Sequence, residues 1–264
     1  MDQTLVRGRH LPPGFVGMTD IEVQFYNYCV SRPPLDRSLV MSQGLQDLWV
    51  CFFLDCWNPH SRFHRDGFFV EFGALDGVAL SNTYLLEKQF GWRGVLVEPG
   101  PSQFPKIAHR RSCGSDRRCV WRESGETLDF NQVVGSEELA SIDDFSGCDL
   151  HGSVREGRRS VVKVESVSLL DLLSDWNAPK VIDYLSVDTE GSEYEILRAF
   201  DFRVHQFRTL SVEHNMTEKR EAIHSLLQDN GYRLVRRSSE RFDDMYVMPE
   251  LVPPHPGLDS RNLG

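Results

Sequence analysis

Residues 68–83, with the sequence FFVEFGALDGVALSNT, decide the fold. Five apolar-rich residues lead into a segment with two glycines, and Ser81, Asn82 and Thr83 then precede a stretch with helical spacing. A strand that passes through a glycine turn into a helix begins a βαβ unit, so this segment predicts a mainly parallel sheet. The turn lacks the G-x-G-x-x-G pattern that cradles a pyrophosphate, which favours a nucleoside ligand without phosphates. The polar residues after it offer donors suited to a carboxylate.

The following segments alternate short apolar runs with helical stretches, as consecutive βαβ units do. The predicted main strands are 68–72, 94–98, 182–188, 209–214, 232–237 and 244–248, and the predicted helices are 81–90, one opening near 101, 168–175, 193–199 and 217–229. The last two strands predict a closing β-hairpin, whereas a dinucleotide-binding domain usually adds another crossover helix.

The region between the two halves of the sheet has a different pattern. We expect a third strand at 117–122 and two antiparallel hairpin strands at 125–134 and 160–167. Residues 135–159 contain four glycines and are predicted to form a long loop.

Upstream of the sheet, the first 37 residues are rich in proline and predict an arm with a short helix near 21–28. Apolar residues recur at helical spacing from 42 to 57, which predicts a helix with a broad apolar face. The expected organisation is therefore an arm and helical cap at 1–60, one α/β domain at 61–250 and a tail at 251–264.

The composition limits the partners. The formal net charge of −10 argues against a nucleic-acid-binding surface, because such surfaces use clustered basic residues to neutralise phosphates. Two short basic stretches, His109–Arg111 and Arg155–Arg159, remain candidates for local anion sites.

The sequence contains no pattern that favours a membrane or secretory context. The N-terminus lacks an apolar run that could act as a leader, and the apolar stretch 45–57 is shorter than a bilayer span needs. We therefore expect a soluble cytoplasmic protein without a membrane span. Six cysteines form no C-x-x-C pair, which predicts reduced thiols that serve mainly in packing.

Acidic residues follow the predicted strands, at the edge of the sheet where ligands bind in open α/β folds. Glu98 is placed to accept both hydroxyl protons of a ribose. Asp188, Glu213 and His214 could take a proton from a substrate hydroxyl as general bases. Alternatively, Asp188, Glu213 and Asn215 have ligand types that hold Mg²⁺ or Mn²⁺.

At three acidic or histidine positions after the predicted strands, a purely structural role competes with a functional one. Glu190 and Glu193 also suit the start of a helix, where a negative charge opposes the helix dipole, and this role is favoured for Glu193. A purely structural role for His214 stays open beside the catalytic one.

Several separated stretches resemble the FkbM-type methyltransferases, which are class I S-adenosylmethionine enzymes associated mostly with O-methylation. The similar stretches are SQGLQDLWV, FFVEFGALDGVALSNTYLLEKQFGWRGVLVEP, YLSVDTEGSEYEIL and SVEHN, and together they extend over residues 42–248. The resemblance implies a Rossmann-like, mostly parallel seven-stranded sheet with a reversed last strand.

Site residues follow from the resemblance by position. It implies that Asp188 faces the reaction centre and that the cofactor is held by Glu71, Gly73, Asp76, Gly77, Ser81, Asn82, Glu98 and Asp188. It also implies that Ser42, Gln46 and Asp47 lie near the pocket mouth, although Ser42 could instead cap a helix.

We therefore expect a methyltransferase that uses S-adenosylmethionine to methylate a hydroxyl of a saccharide, a glycan or a secondary metabolite. Asp188, with Glu213 or His214, would assist deprotonation directly or through Mg²⁺ or Mn²⁺. A protein acceptor, a nicotinamide-dependent oxidoreductase and a non-enzymatic binding module are the alternatives. The sequence leaves the acceptor and any homo-oligomer open.

Overall fold

The computed structural model describes residues 5–6, 9–10, 19–31, 36–237 and 243–254. The strands in chain order are Leu5–Val6 (β1), Arg9–His10 (β2), Phe68–Phe72 (β3), Arg93–Val97 (β4), Gly114–Asp116 (β5), Cys119–Trp121 (β6), Thr127–Asn131 (β7), Ser141–Ile142 (β8), Val161–Ser168 (β9), Val181–Val187 (β10), Gln206–Glu213 (β11), Arg233–Arg236 (β12) and Asp243–Val247 (β13). The helices are Asp20–Ser31 (α1), Gln46–Leu54 (α2), Tyr84–Phe90 (α3), Phe104–Arg110 (α4), Gly152–Gly157 (α5), Leu169–Asp175 (α6), Glu193–Ala199 (α7) and Lys219–Asp229 (α8).

Seven strands form the main sheet, in the order β12-β13-β11-β10-β3-β4-β5. Every neighbouring pair is parallel except the two pairs that contain β13, which runs antiparallel to β11 and to β12. The predicted seven-stranded, mostly parallel sheet with a reversed last strand is confirmed. Strand β3 lies between β10 and β4, so the turn after Phe72 opens between the ends of those two strands.

The region between β4 and β10 corrects two predictions. The expected third strand at 117–122 is present only as Cys119–Trp121, because residues 117–118 form a turn, in which the Asp116 carboxylate accepts the backbone N–H of Arg118 at 2.9 Å and pairs with its guanidinium. Consequently Gly114–Asp116 stays in the main sheet, while Cys119–Trp121 joins a second sheet of order β6-β9-β7-β8. The predicted antiparallel hairpin strands are confirmed as β7 and β9.

The segment 135–159 is not the plain loop that its glycines predict. It contributes β8 to the second sheet and then forms helix α5. We call residues 132–160 the insertion. Its structure depends on the buried guanidinium of Arg155, which the local sequence pattern does not reveal.

The N-terminal helices cover one face of the sheet. All nine residues of α2 are buried, and α1 packs on it through Phe25, which stacks on Trp49 with 3.9 Å between ring centroids. The Tyr28 hydroxyl donates to the Cys51 carbonyl at 2.6 Å. Helix α2 is shorter than the predicted 42–57 because Leu45 and Asp55, at its two ends, adopt left-handed backbone conformations.

The predicted helix near 21–28 is confirmed as α1. The rest of the predicted arm is described only in part, and most of the predicted tail, residues 255–264, lies outside the described residues. All six cysteines are free, as predicted, and Cys51, Cys56 and Cys119 are buried. Across the described ranges, every helix is too short or too polar to cross a membrane.

Gly73 brings the turn after β3 against the end of β10. Its φ angle is +70°, and a Cβ atom at this position would overlap the backbone carbonyl oxygen of Asp188. Glycine is therefore required both for the left-handed conformation and for the close approach.

We predict that Gly73→Ala lowers the free energy of unfolding by about 2–5 kcal/mol, because left-handed strain and steric overlap add. Gly125→Ala is the matched control, since Gly125 has φ +83° and a Cβ atom added there would meet no other atom within 4 Å. That control should lose about 1–2 kcal/mol from backbone strain alone. Urea unfolding measures both, and equal losses would show that the approach to Asp188 is unimportant.

Candidate active site

Two adjoining cavities open at the carboxyl ends of the central strands. The first is lined by apolar residues, including Pro99, Val120 and Phe130, together with the acidic strand ends. Most of the residues that line the second have amide or carboxylate side chains. Residues on the wall between them line both, namely Leu80, Asn82, Glu138, Asp188 and Glu190. A ligand in one cavity would therefore lie next to a ligand in the other.

Five of the residues predicted to hold the cofactor line the first cavity: Glu71, Gly73, Asn82, Glu98 and Asp188. The other three, Asp76, Gly77 and Ser81, shape the loop behind this lining. The Asp76 carboxylate accepts the backbone N–H groups of Val78 and Ala79 at 2.9 Å and pairs with Arg110. The Gly77 carbonyl accepts from Arg111 at 2.8 Å.

Glu71 organises the segment Ser81–Thr83. It is 2% exposed, and its carboxylate accepts the Asn82 backbone N–H at 2.7 Å, the Ser81 hydroxyl at 3.0 Å and the Thr83 hydroxyl. Burial raises the Glu71 pKa, and the nearby Arg111 guanidinium opposes that shift. Glu71 thus fixes the segment Ser81–Thr83 by hydrogen bonds, and this places Asn82 on the cavity wall.

Arg111 corrects the prediction of an anion site at 109–111. Its side chain is fully buried and donates to Glu87 at 2.6 Å, to Thr83 at 2.9 Å and to Ser81 at 3.1 Å. These bonds hold the Ser81–Thr83 segment from the side opposite Glu71. Its charge is therefore paired inside the protein and does not form an anion site on the surface.

Asn82 presents an unsatisfied acceptor to both cavities. Its amide nitrogen donates to the Ser186 hydroxyl at 2.9 Å, which fixes the orientation of the side chain. Its carbonyl oxygen Oδ1 is buried and has no hydrogen-bond partner among the described residues. A buried carbonyl of this kind suits a donor on a ligand, such as an ammonium group.

Glu98 lies at the end of β4 and is 4% exposed. Its two carboxylate oxygens accept backbone N–H groups, from Leu75 at 2.8 Å and from Gly100 at 2.7 Å. Burial raises the pKa of Glu98 to about 7, and the two hydrogen bonds oppose this rise. The carboxylate is thus fixed in the first cavity with lone pairs left for a hydroxyl donor.

Three carboxylates meet where the cavities join. One oxygen each from Asp188, Glu190 and Glu213 lies within 4.8 Å of the other two. Burial raises the pKa of Asp188 and of Glu213, and the surrounding carboxylates raise both further. For Glu190, burial raises the pKa to about 8, although the Arg155 guanidinium opposes the shift.

The last residue of β11 and the two residues after it lie in different environments. Glu213 and Asn215 line the second cavity. His214 instead lines neither cavity; its Nδ1 accepts the Met216 backbone N–H at 3.1 Å and its Nε2 lies 3.6 Å from Asp244. This position fits the structural alternative.

Glu193 occupies the first turn of α7, as the helix-start prediction requires. Its carboxylate accepts the backbone N–H groups of Thr189 at 2.9 Å and Gly191 at 3.0 Å. Glu190 has a different position. It precedes this helix in a left-handed backbone conformation (φ +58°), and its carboxylate joins those of Asp188 and Glu213.

Arg155, like Arg111, has a different role from the one predicted from the sequence. It was expected on an anion-binding surface, but its side chain is fully buried and pairs with Asp149 at 2.6 Å and with Glu190. It also donates to the Leu139 carbonyl at 2.9 Å. Arg155 thus fastens the insertion to the acidic group, and only tertiary structure reveals this pairing.

The SQGLQD stretch contributes two residues, Gln43 and Gln46, to the second cavity. Gln46 lines it and donates to the Asp243 carboxylate at 2.9 Å. Ser42 does not cap α2, whose N-cap is Leu45; its hydroxyl donates to Asp47 at 2.6 Å instead. Asp243, which the sequence analysis missed, also lines the second cavity, and burial raises its pKa to about 6.

The strand order and the paired cavities at the carboxyl edge define a Rossmann-like class I methyltransferase domain. The chain belongs to the family described as the methyltransferase FkbM domain, whose model matches residues 71–234, more than half of the chain.

Two solved structures resemble the chain at low sequence identity. The methyltransferase FkbM from Methylobacillus flagellatus KT is 14% identical with a TM-score of 0.41; the match covers 86% of this chain and 59% of that protein. The precorrin-6y C5,15-methyltransferase from Geobacter metallireducens GS-15 is 11% identical with a TM-score of 0.40, covering 82% of this chain and 98% of that protein. None of the curated proteins compared with the chain matches it significantly.

We predict that Glu98→Gln changes the pH dependence of stability. The folded pKa of Glu98, about 7, lies above its ordinary value of 4.5, so the proton stabilises the folded state below pH 4.5. This stabilisation is lost as pH rises to about 7. Relative to the unmodified protein, the variant should therefore gain about 2–3 kcal/mol between pH 5 and pH 8. Urea unfolding at both pH values tests this, with exposed Glu165→Gln as control; a pH-independent difference would contradict it.

We predict that Arg155→Met lowers the free energy of unfolding by about 3–5 kcal/mol, because Asp149 and Glu190 would keep buried charges without their partner. Arg159→Met is the control, since Arg159 lies in the same insertion, is exposed and pairs only with Asp143 among the described residues. It should change stability little. Similar losses in both variants would argue against the buried pairing.

Proposed function

We propose that this protein transfers a methyl group from S-adenosylmethionine to a hydroxyl group of a saccharide. The observation that carries the proposal is the junction of the two cavities at Asp188. One cavity suits a nucleoside, the other suits a polyhydroxylated molecule, and a carboxylate lies on the wall between them.

The first cavity fits the cofactor through its side chains. Pro99, Val120 and Phe130 offer an apolar surface for an adenine ring. Glu98 would accept the ribose hydroxyls, and the unpaired Oδ1 of Asn82 would accept the ammonium group of the methionine part. When bound, S-adenosylmethionine supplies an electrophilic methyl group on a positively charged sulfur.

Asp188 and Glu213 provide the proton acceptor. A hydroxyl is a weak nucleophile until its proton is removed, and a base is most effective when its pKa is near the working pH. Burial and mutual repulsion raise the pKa of both carboxyls above the ordinary range, in the direction that this role needs. Proximity of the two ligands would supply much of the remaining rate enhancement.

The second cavity favours a saccharide over a hydrophobic natural product. Its apolar members are Leu80 and Leu139, and its remaining lining residues are amides, carboxylates and one histidine. Amide and carboxylate groups form directional hydrogen bonds with several hydroxyls at once. A largely apolar polyketide would leave these groups without partners, which is unfavourable.

We predict that Asp188→Asn lowers kcat by at least about 100-fold with a saccharide acceptor, because the proton acceptor is lost. Binding of S-adenosylhomocysteine should be largely retained. Glu98→Ala should instead weaken that binding by about 10-fold or more, because hydrogen bonds to a charged group are lost.

A methyl-transfer assay over a panel of glycans, protein acceptors and secondary metabolites measures the first effect, and calorimetry measures the second. Exposed Glu165→Gln serves as the control for general loss of negative charge. Binding of NAD in place of S-adenosylhomocysteine, or normal turnover by the Asp188 variant, would overturn the proposal.

A further inference from the structure

We infer that Asp188, Glu190 and Glu213 form a binding site for one divalent metal cation, of the Mg²⁺ or Mn²⁺ class, at the junction of the two cavities. One oxygen from each carboxylate lies within 4.8 Å of the other two. Two of the ligands follow β10 and the third ends β11, so neighbouring parallel strands set their spacing. Carboxylate oxygens are the ligands that these hard cations prefer.

A second observation, the hydrogen bonding of the buried oxygens, also points to a ligand. Glu213 is 6% exposed, and its Oε2 has no hydrogen-bond partner among the described residues. Glu213 lines the second cavity, as does Asn82, whose Oδ1 is also buried and unpartnered. Buried polar oxygens are normally paired, so the unpartnered Glu213 Oε2 indicates a missing cation, whereas the Asn82 Oδ1 suits the ammonium donor of the cofactor.

Glu190 is held in place for this role by its neighbours. Its φ angle of +58° is unusual for a residue with a side chain. Arg155 and the Asn215 amide, at 3.0 Å, both donate to Oε2, which leaves Oε1 available as a ligand.

Asn215 accordingly acts as a positioning residue. Its amide nitrogen bonds Glu190 and also Asp149 at 3.2 Å, so it ties the ligand to the insertion. The inferred set of metal ligands therefore contains Glu190, whereas the set predicted from the sequence contained Asn215.

The use of the cation rests on the proposed function, whereas its binding does not. Asp188 and Glu190 line both cavities, so a cation there would contact an acceptor hydroxyl beside the methyl donor. A bound divalent cation lowers the pKa of a coordinated hydroxyl. It would also balance three neighbouring carboxylates that Arg155 neutralises only in part. With the cation bound, Asp188 and Glu213 would be its ligands instead of the proton acceptor, and the hydroxyl proton would pass to solvent.

The test uses the full chain, freed of metal with EDTA and titrated with Mn²⁺ in the absence of cofactor and acceptor. Calorimetry and the electron paramagnetic resonance signal of free Mn²⁺ should show one bound ion per chain. Glu190→Gln and Glu213→Gln should each weaken binding by about 10-fold or more.

Glu138→Gln is the matched control, because Glu138 lines the same cavities but lies outside the three-carboxylate cluster. It should bind Mn²⁺ like the unmodified chain. Binding of S-adenosylhomocysteine to each variant shows whether it is folded.

The outcomes separate the two proposals. If S-adenosylhomocysteine binds but Mn²⁺ does not saturate up to about 1 mM, the metal site is wrong and the carboxyls share protons instead. If Glu138→Gln loses Mn²⁺ as strongly as the cluster variants, general negative charge explains the binding and the site is again overturned. Saturable Mn²⁺ binding without S-adenosylhomocysteine binding would support the metal site and contradict the proposed methyl transfer.

Discussion

The rest of the site depends on the close approach of Gly73 to the backbone of Asp188. No side chain fits between them, so the turn after β3 lies directly on the end of the neighbouring strand β10. This contact brings a cavity suited to a nucleoside against a group of acids that come from other strands. The loop 73–83 is then fixed by Glu71 on one side and Arg111 on the other. One steric constraint and two buried charges thus set the geometry of both cavities.

The second organising interaction is the burial of Arg155 between Asp149 and Glu190. Removing an ion pair from water is unfavourable unless its geometry is good and further hydrogen bonds satisfy it. Here the guanidinium meets two carboxylates and a carbonyl, and Asn215 bridges the same two acids. The insertion is therefore attached to the acidic group by charged contacts, in addition to the apolar packing of Ile142 and Phe145 on the core. Any ligand that changes the charge at Glu190 acts directly on this attachment.

Local patterns predicted six of the seven strands of the main sheet, because these contain apolar runs bounded by turn residues. Strand β5, with the sequence GSD, is not an apolar run and was not predicted. The reversed last strand was also predictable, since two runs close together without a helix between them form a hairpin. What sequence reasoning missed was long-range pairing. The turn at Asp116 that divides β5 from β6, the inward position of Arg155 and the contact between Gln46 and Asp243 depend on residues that the fold brings together. Positions at strand ends were predictable, whereas the partners of those side chains were not.

The acidic lining has a consequence for charge balance during the proposed reaction. Burial raises the pKa of Glu98, Asp188 and Glu213, so the folded protein holds carboxyls where solvation of their charged forms is poor. A positively charged sulfonium offsets that unfavourable burial when it binds, but methyl transfer removes its charge. The acceptor hydroxyl releases a proton in the same step. When a neighbouring carboxylate takes that proton, one positive and one negative charge disappear together. The buried acids therefore suit a transfer in which the net charge of the site stays constant.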